Sequence, residues 1–329
     1  MTTAPNPEPA APGRRSRLLR KLVTWIVLVA LFALLFRKVP LPEVLAQFRA
    51  MTLTSVLALF ALSLVFILGV CALDGAAMGY GFSLFGVTIP LREIVLARTA
   101  RMLLDSIATI LGQAGLAAHV AKRYQLPAGP AAGMVLFLFL VEIYGMVVVS
   151  TLSLLALALL PGRLQPGAPL AAAVTMAGLA WPALAVMVFG GRRLARNAAL
   201  ARLLTRLRLA PILSPLARLR PAQLLRLLLY KTALAAWQIG LTIVAFRLYG
   251  LKTPALDLLA FMPLAILVSS IPVTPSRLGT TQWSWTFFFA YAAPSAALVA
   301  MSLLLQFLLN VVRWLIGAAA TLWLYRQDR

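Results

Sequence analysis

Ser269-Ser270-Ile271-Pro272-Val273-Thr274-Pro275-Ser276-Arg277-Leu278-Gly279 interrupts an otherwise apolar stretch that runs from Leu256 to Tyr291. Two prolines, a glycine and a run of hydroxyls cannot continue a helix. At membrane depth, non-helical backbone persists only where protein or water satisfies its N–H and C=O groups. The stretch therefore reads as a re-entrant hairpin lining a cavity. Leu91 to Tyr124 reads the same way, apolar in its first half yet carrying Arg98, Arg101, Asp105, Gln113 and His119. At an offset of 164, residues 105–146 align with residues 269–310, and eight of the 42 positions are identical. Ser106-Ile107 falls on Ser270-Ile271, Gly115 on Gly279, Pro130 on Pro294 and Glu142 on Gln306. Duplication around broken hydrophobic segments is the sequence mark of a transporter-type site at the bilayer midplane. The predicted turn residues are Gly115, Gly279, Pro272 and Pro275.

Composition sets the class. Hydrophobic residues make up 62% of the 329, and mean hydropathy is +0.94. The chain reads as an all-α polytopic membrane protein, since a β-barrel would show short alternating strands. Thirty basic residues against eight acidic ones give a net charge of +22. Nucleic acid is not the expected partner, because the arginines crowd the ends of apolar segments in the positive-inside pattern. Cys71 and His119 are each the only residue of their kind. No disulfide, no multi-His or Cys-based metal site and no cofactor are therefore expected.

Six full spans are predicted from apolar runs: Leu22 to Phe36, Leu53 to Leu73, Ala131 to Leu160, Leu170 to Phe189, Leu227 to Phe246 and Ala296 to Leu324. Residues 1–21, rich in proline and alanine and then basic, are expected to be a disordered cytoplasmic tail. Residues 22–325 form a single transmembrane domain. It holds repeat 1 (about 91–160), a cytoplasmic loop at 190–226 with nine arginines and no acid, and repeat 2 (about 256–324). With both termini cytoplasmic and six spans between, the two hairpins enter from opposite sides, which makes the duplication an inverted repeat.

Ionisable and polar residues within these segments are the candidate substrate-binding groups. Arg277 sits among Ser270, Thr274 and Ser276, where guanidinium, hydroxyls and unused backbone N–H groups suit a phosphate head group. Glu142 lies inside a long apolar run and requires a cation, a proton or water. Gln306, Asn310 and Arg313 follow at helical spacing and share one face. Asp105 and Arg101 stand four apart and are placed to neutralise each other. His119, with Lys122 and Arg123, is read either as a head-group contact or as a cytoplasmic interface cluster. Gln282 completes the candidate set. Trp283, Trp285 and Tyr291 are read as interface anchors.

The Gly112-Gln113-Ala114-Gly115 and Leu278-Gly279-Thr280-Thr281-Gln282 segments resemble the lysylphosphatidylglycerol synthase transmembrane family, the flippase-like integral membrane proteins. In that family a Pro- and Gly-containing turn ends in a pattern like G-x-G-x-x-E, followed by a loop and a long helix. Here the acidic position is Gln282, which leaves the substrate's identity open. The chain ends at Arg329 without the aminoacyltransferase domain of the full-length synthases, so no lipid aminoacylation, and no other enzymatic activity, is expected. The resemblance implies movement of an amphipathic lipid, anionic or lipid-linked, between leaflets of a bacterial inner membrane. The alternative is a non-transporting scaffold or regulatory subunit of envelope-lipid synthesis. Membrane lipids with anionic head groups are the expected partners. A homo-oligomer or a lipid-synthesis enzyme as a further partner stays open.

Overall fold

A computed structural model describes residue 26 and residues 29–107, 109–160, 167–185, 219–270 and 274–327. Among these residues the chain is all-helical, without strands. After a helical stretch at 29–37 come α1 (Leu41–Arg49), α2 (Leu53–Ser83), α3 (Leu91–Asp105), α4 (Thr109–Arg123), α5 (Ala128–Ala158) and α6 (Ala168–Ala185). They are followed by α7 (Pro221–Leu248), α8 (Ala255–Ser269), a 3₁₀ turn (Pro275–Arg277), α9 (Thr280–Phe289) and α10 (Ser295–Gln327). Five helices, α2, α5, α6, α7 and α10, are long and apolar enough to cross a membrane. The protein is a multi-pass membrane protein.

Two expected boundaries shift. The span beginning at Leu53 continues beyond Leu73, through Asp74, to Ser83. A carboxylate need not end an apolar helix when cations meet it, and here Arg98 and Lys231 do. The arginine-rich loop is helical from Pro221 onward, a proline at the first helical position. Residues 190–218 of that loop, the N-terminal tail and residues 22–25, 27 and 28 of the first predicted span lie outside the described residues.

Several local features recur at the offset of 164. Helix α2 ends with Gly86 at φ 79°, the Gly86 N–H on Ser83 O (3.1 Å) and the Val87 N–H on Phe82 O (3.1 Å). Helix α7 ends with Gly250 at φ 87°, the Gly250 N–H on Arg247 O (3.0 Å) and the Leu251 N–H on Phe246 O (2.8 Å). Both are Schellman ends, in which a left-handed glycine lets two orphan carbonyls be satisfied. Each is followed by a proline, Pro90 or Pro254, that caps a helix of 15 residues, α3 or α8. The packing is reciprocal as well. Helix α3 lies against α10 and α8 against α5, while α2 meets α7.

Close approach is set by small residues. A Cβ on Gly145 of α5 would stand 2.7 Å from the backbone carbonyl carbon of Lys231 on α7. With no hydrophobic drive between helices in lipid, such backbone-to-backbone contacts supply the packing.

Candidate functional site

The two breaks in the helical backbone meet each other. Helix α3 ends at Asp105, and the carbonyls of Ser106 and Ile107, just past its end, take their partners from another segment. The second break supplies them. Ser276 donates its hydroxyl to Ser106 O (2.6 Å) and its N–H to Ile107 O (3.4 Å). Trp314 of α10 donates its indole N–H to the Ser106 hydroxyl (2.8 Å). Ser276 and Arg277 both occupy the left-handed region, at φ 52° and 61°. Two consecutive non-glycine residues there are strained and persist only when the surroundings over-determine them. The Gln306 side-chain amide fixes the turn further by donating to Ser276 O.

Beside this junction lies a cavity of about 360 Å³, within the size range of small-ligand sites. Its polar wall carries Arg98, Arg101, Asp105, Glu142, Arg277 and Arg313, and aromatic and aliphatic side chains such as Phe66, Phe139 and Leu309 complete it.

A continuous chain of alternating charges runs from this wall into the bundle. Arg101 Nε contacts Asp105 Oδ2 at 3.0 Å, and Arg98 Nη1 contacts the same oxygen at 3.4 Å. Arg98 Nε then pairs with Asp74 Oδ2. Lys231 Nζ bridges Asp74 Oδ1 (2.5 Å) and Glu142 Oε2 (3.1 Å). Asp74 and Lys231 are fully buried, whereas the Glu142 side chain keeps 17% exposure at the cavity edge. Charges so deep are tolerated because each has a partner of opposite sign and a hydrogen bond. Glycine makes room for one of them, since a Cβ on Gly112 would sit 1.7 Å from Asp105 Oδ1.

Of the residues expected at the site, Arg277, Ser270, Ser276, Glu142, Gln306, Arg313 and Asp105 line one cavity. Asp105 takes Arg101, as the spacing of four suggests. The other four do not line it. Gln282 is buried and holds the start of α9: its Oε1 accepts the Gly279 N–H (2.7 Å) and its Nε2 donates to Gln306 Oε1 (3.1 Å). Accepting the N-cap amide is the role of Glu or Gln in a capping box, so glutamine here keeps the backbone function of an acid without its charge. Thr274 faces Thr280 (3.4 Å), and Asn310 accepts from Arg313 (3.3 Å). His119 lies on α4 away from the cavity, and its neighbour Arg123 pairs instead with Glu93 (3.1 Å).

Among the expected turn residues, Gly279 is at φ 82° and N-caps α9, and Pro275 opens the 3₁₀ turn. Gly115 is not a turn residue. It lies inside α4, where a Cβ would meet Leu104 Cδ1 at 2.6 Å, so it serves close packing of α3 on α4. Pro272 lies outside the described residues. Asp74 and Lys231 were not among the expected site residues. Lys231 stands within the apolar run Leu227 to Phe246, so the signal of an intramembrane charge was present in the sequence.

The fold and the cavity define a multi-pass α-helical membrane protein with a charged chamber where two broken helix pairs meet. Residues 20–317 match the family model of the lysylphosphatidylglycerol synthase TM region, and the chain belongs to that family. No curated protein matches the chain.

Proposed function

We propose that this protein is a flippase-like lipid transporter, which moves an amphipathic lipid between leaflets by holding its head group in the central cavity while the tails stay in the bilayer. One observation carries the reading: a cavity whose wall bears four guanidiniums lies where two non-helical breaks touch. A non-transporting scaffold requires no such chamber, and a packed centre would have favoured that alternative.

On this reading α3–α4 and α8–α9 are re-entrant hairpins. The matched Schellman ends, the matched 15-residue helices and the reciprocal packing support an inverted repeat. Helix α6, the span between the halves, reverses the second half relative to the first. With the arginine-rich loop cytoplasmic by the positive-inside rule, both termini face the cytoplasm of an inner membrane. The hydrogen bond from Ser276 to Ser106 is then the contact that must open for a head group to pass from one side to the other. No chemical step is assigned to the chain. Lipids are its partners, and an association with a lipid-synthesis enzyme or a second copy is compatible with the reading.

The test is a leaflet-sidedness assay on purified protein in liposomes, run across a lipid panel. Wild-type protein is expected to move at least one anionic lipid. Arg277→Ala is expected to weaken binding of that lipid by about tenfold to a hundredfold, as for loss of a charged hydrogen bond of roughly 1.5–3 kcal/mol, with Arg277→Lys restoring only part. Folded protein that moves no lipid of the panel would overturn the reading.

A further inference from the structure

The charges around the cavity specify the head group more closely. Arg101, Asp105, Arg98, Asp74, Lys231 and Glu142 form a chain of three cations and three carboxylates, neutral within itself. Arg277 and Arg313 line the same cavity and lie close enough to repel each other. Whatever these two contact, five cations stand against three carboxylates among the described residues.

The sequence holds five other acids. Glu43 is exposed on α1, Glu93 pairs with Arg123, and Asp257 accepts the Tyr291 hydroxyl (2.7 Å). Glu8 and Asp328 belong to the terminal stretches outside the described residues. Among the described residues, the cavity and its charge chain thus carry an excess of two positive charges in a setting where net charge is expensive.

We infer that the cavity selects a lipid bearing a terminal phosphate monoester. This rests on the transport reading above and names the substrate class of that site. A phosphate monoester brings about 1.5 to 2 negative charges at neutral pH, which offsets the excess. A phosphodiester head group such as phosphatidylglycerol brings one and leaves an excess of one positive charge. A lysyl ester of that head group adds ammonium charges, becomes net positive and is repelled. Planar guanidiniums suit the three oxygens of a terminal phosphate by bidentate contact. The aliphatic and aromatic side of the wall faces the alkyl portion that joins the phosphate.

The test uses purified full-length protein in detergent and native mass spectrometry. Dioleoyl phosphatidic acid, dioleoyl phosphatidylglycerol and dioleoyl lysylphosphatidylglycerol are offered in equal amounts, and a second arm titrates inorganic phosphate. Phosphatidic acid is expected to be retained about tenfold over phosphatidylglycerol, a difference of about 1.4 kcal/mol, with the lysyl lipid not retained. Arg313→Gln is expected to remove the preference. Glu142→Gln raises the excess from two charges to three and is expected to strengthen retention of phosphatidic acid, an outcome that damage to the fold would not give.

Equal retention of phosphatidic acid and phosphatidylglycerol, or weaker retention by a helical Glu142→Gln variant, overturns the inference. Displacement of phosphatidic acid by inorganic phosphate at matched concentration overturns the lipid as the source of the phosphate. If liposome transport persists while the preference is absent, the substrate class alone is wrong. If no lipid of the panel is moved, the transport reading itself fails.

Discussion

Lys231 sits fully buried between two carboxylates contributed by different helices, Asp74 of α2 and Glu142 of α5. Removing one partner of a buried pair leaves the other charge uncompensated. Lys231→Met is therefore expected to destabilise the protein by roughly 3–5 kcal/mol, measured by thermal unfolding in detergent. Asp74 suffers most in that variant, because Glu142 keeps partial exposure at the cavity edge while Asp74 is fully buried and retains the ion pair with Arg98. The double variant Lys231→Met with Asp74→Asn is expected to lose less than the sum of the two single losses. Strict additivity would show that the two side chains are not coupled. The same locality explains the strained Ser276-Arg277 pair: three hydrogen bonds from two other segments hold a conformation that neither residue adopts on its own.

Helix crossings depend on which glycines face a neighbour. Gly145 of α5 abuts the backbone of Lys231 on α7, and Glu142 lies on the same helix nearly one turn earlier. A methyl group at Gly145 cannot be absorbed by rotating a side chain, because the opposing atoms are main chain. Gly145→Ala is expected to push α5 from α7 and cost about 1–3 kcal/mol, read as a lowered unfolding temperature in detergent. Gly240 of α7 is the control. A Cβ there meets nothing within 4 Å, and alanine is the better helix former, so Gly240→Ala should be neutral or slightly stabilising. Equal effects at the two positions would mean that helix propensity, and not the crossing, governs them.

The arrangement of the halves makes the prediction for the whole molecule. Gln125, after α4, and Ala290, after α9, are exposed at the mouths of the two helix pairs. In an inverted repeat they lie on opposite faces of the membrane. With Cys71, buried against Met102, replaced by alanine, single cysteines at 125 and 290 are expected to react with a membrane-impermeant maleimide from opposite sides. Labelling of both from one side would refute the inverted arrangement.

The sequence by itself determined the class, the long apolar helices and the break between Ser269 and Gly279, while it put the turn of the first pair at Gly115, inside α4. These follow from runs of apolar residues and from proline and glycine, properties each segment carries alone. It also held the polar set around Arg277, since a charge in an apolar run announces itself. The packing decided the rest. Lys231 meets Asp74 across 157 residues and Ser276 meets Ser106 across 170, and no local period encodes such pairings. Gly115 and Gly279 align in sequence, yet one packs two helices together while the other caps a helix, because the first break closes within a few residues and the second takes ten. Gln282 pointed to a binding role by its position and serves instead as a backbone cap, a distinction made only by the helix that begins at Thr280. Charge and hydropathy are summed along the chain, whereas partner, burial and the cavity's net charge exist only once distant segments share one small, weakly screened volume.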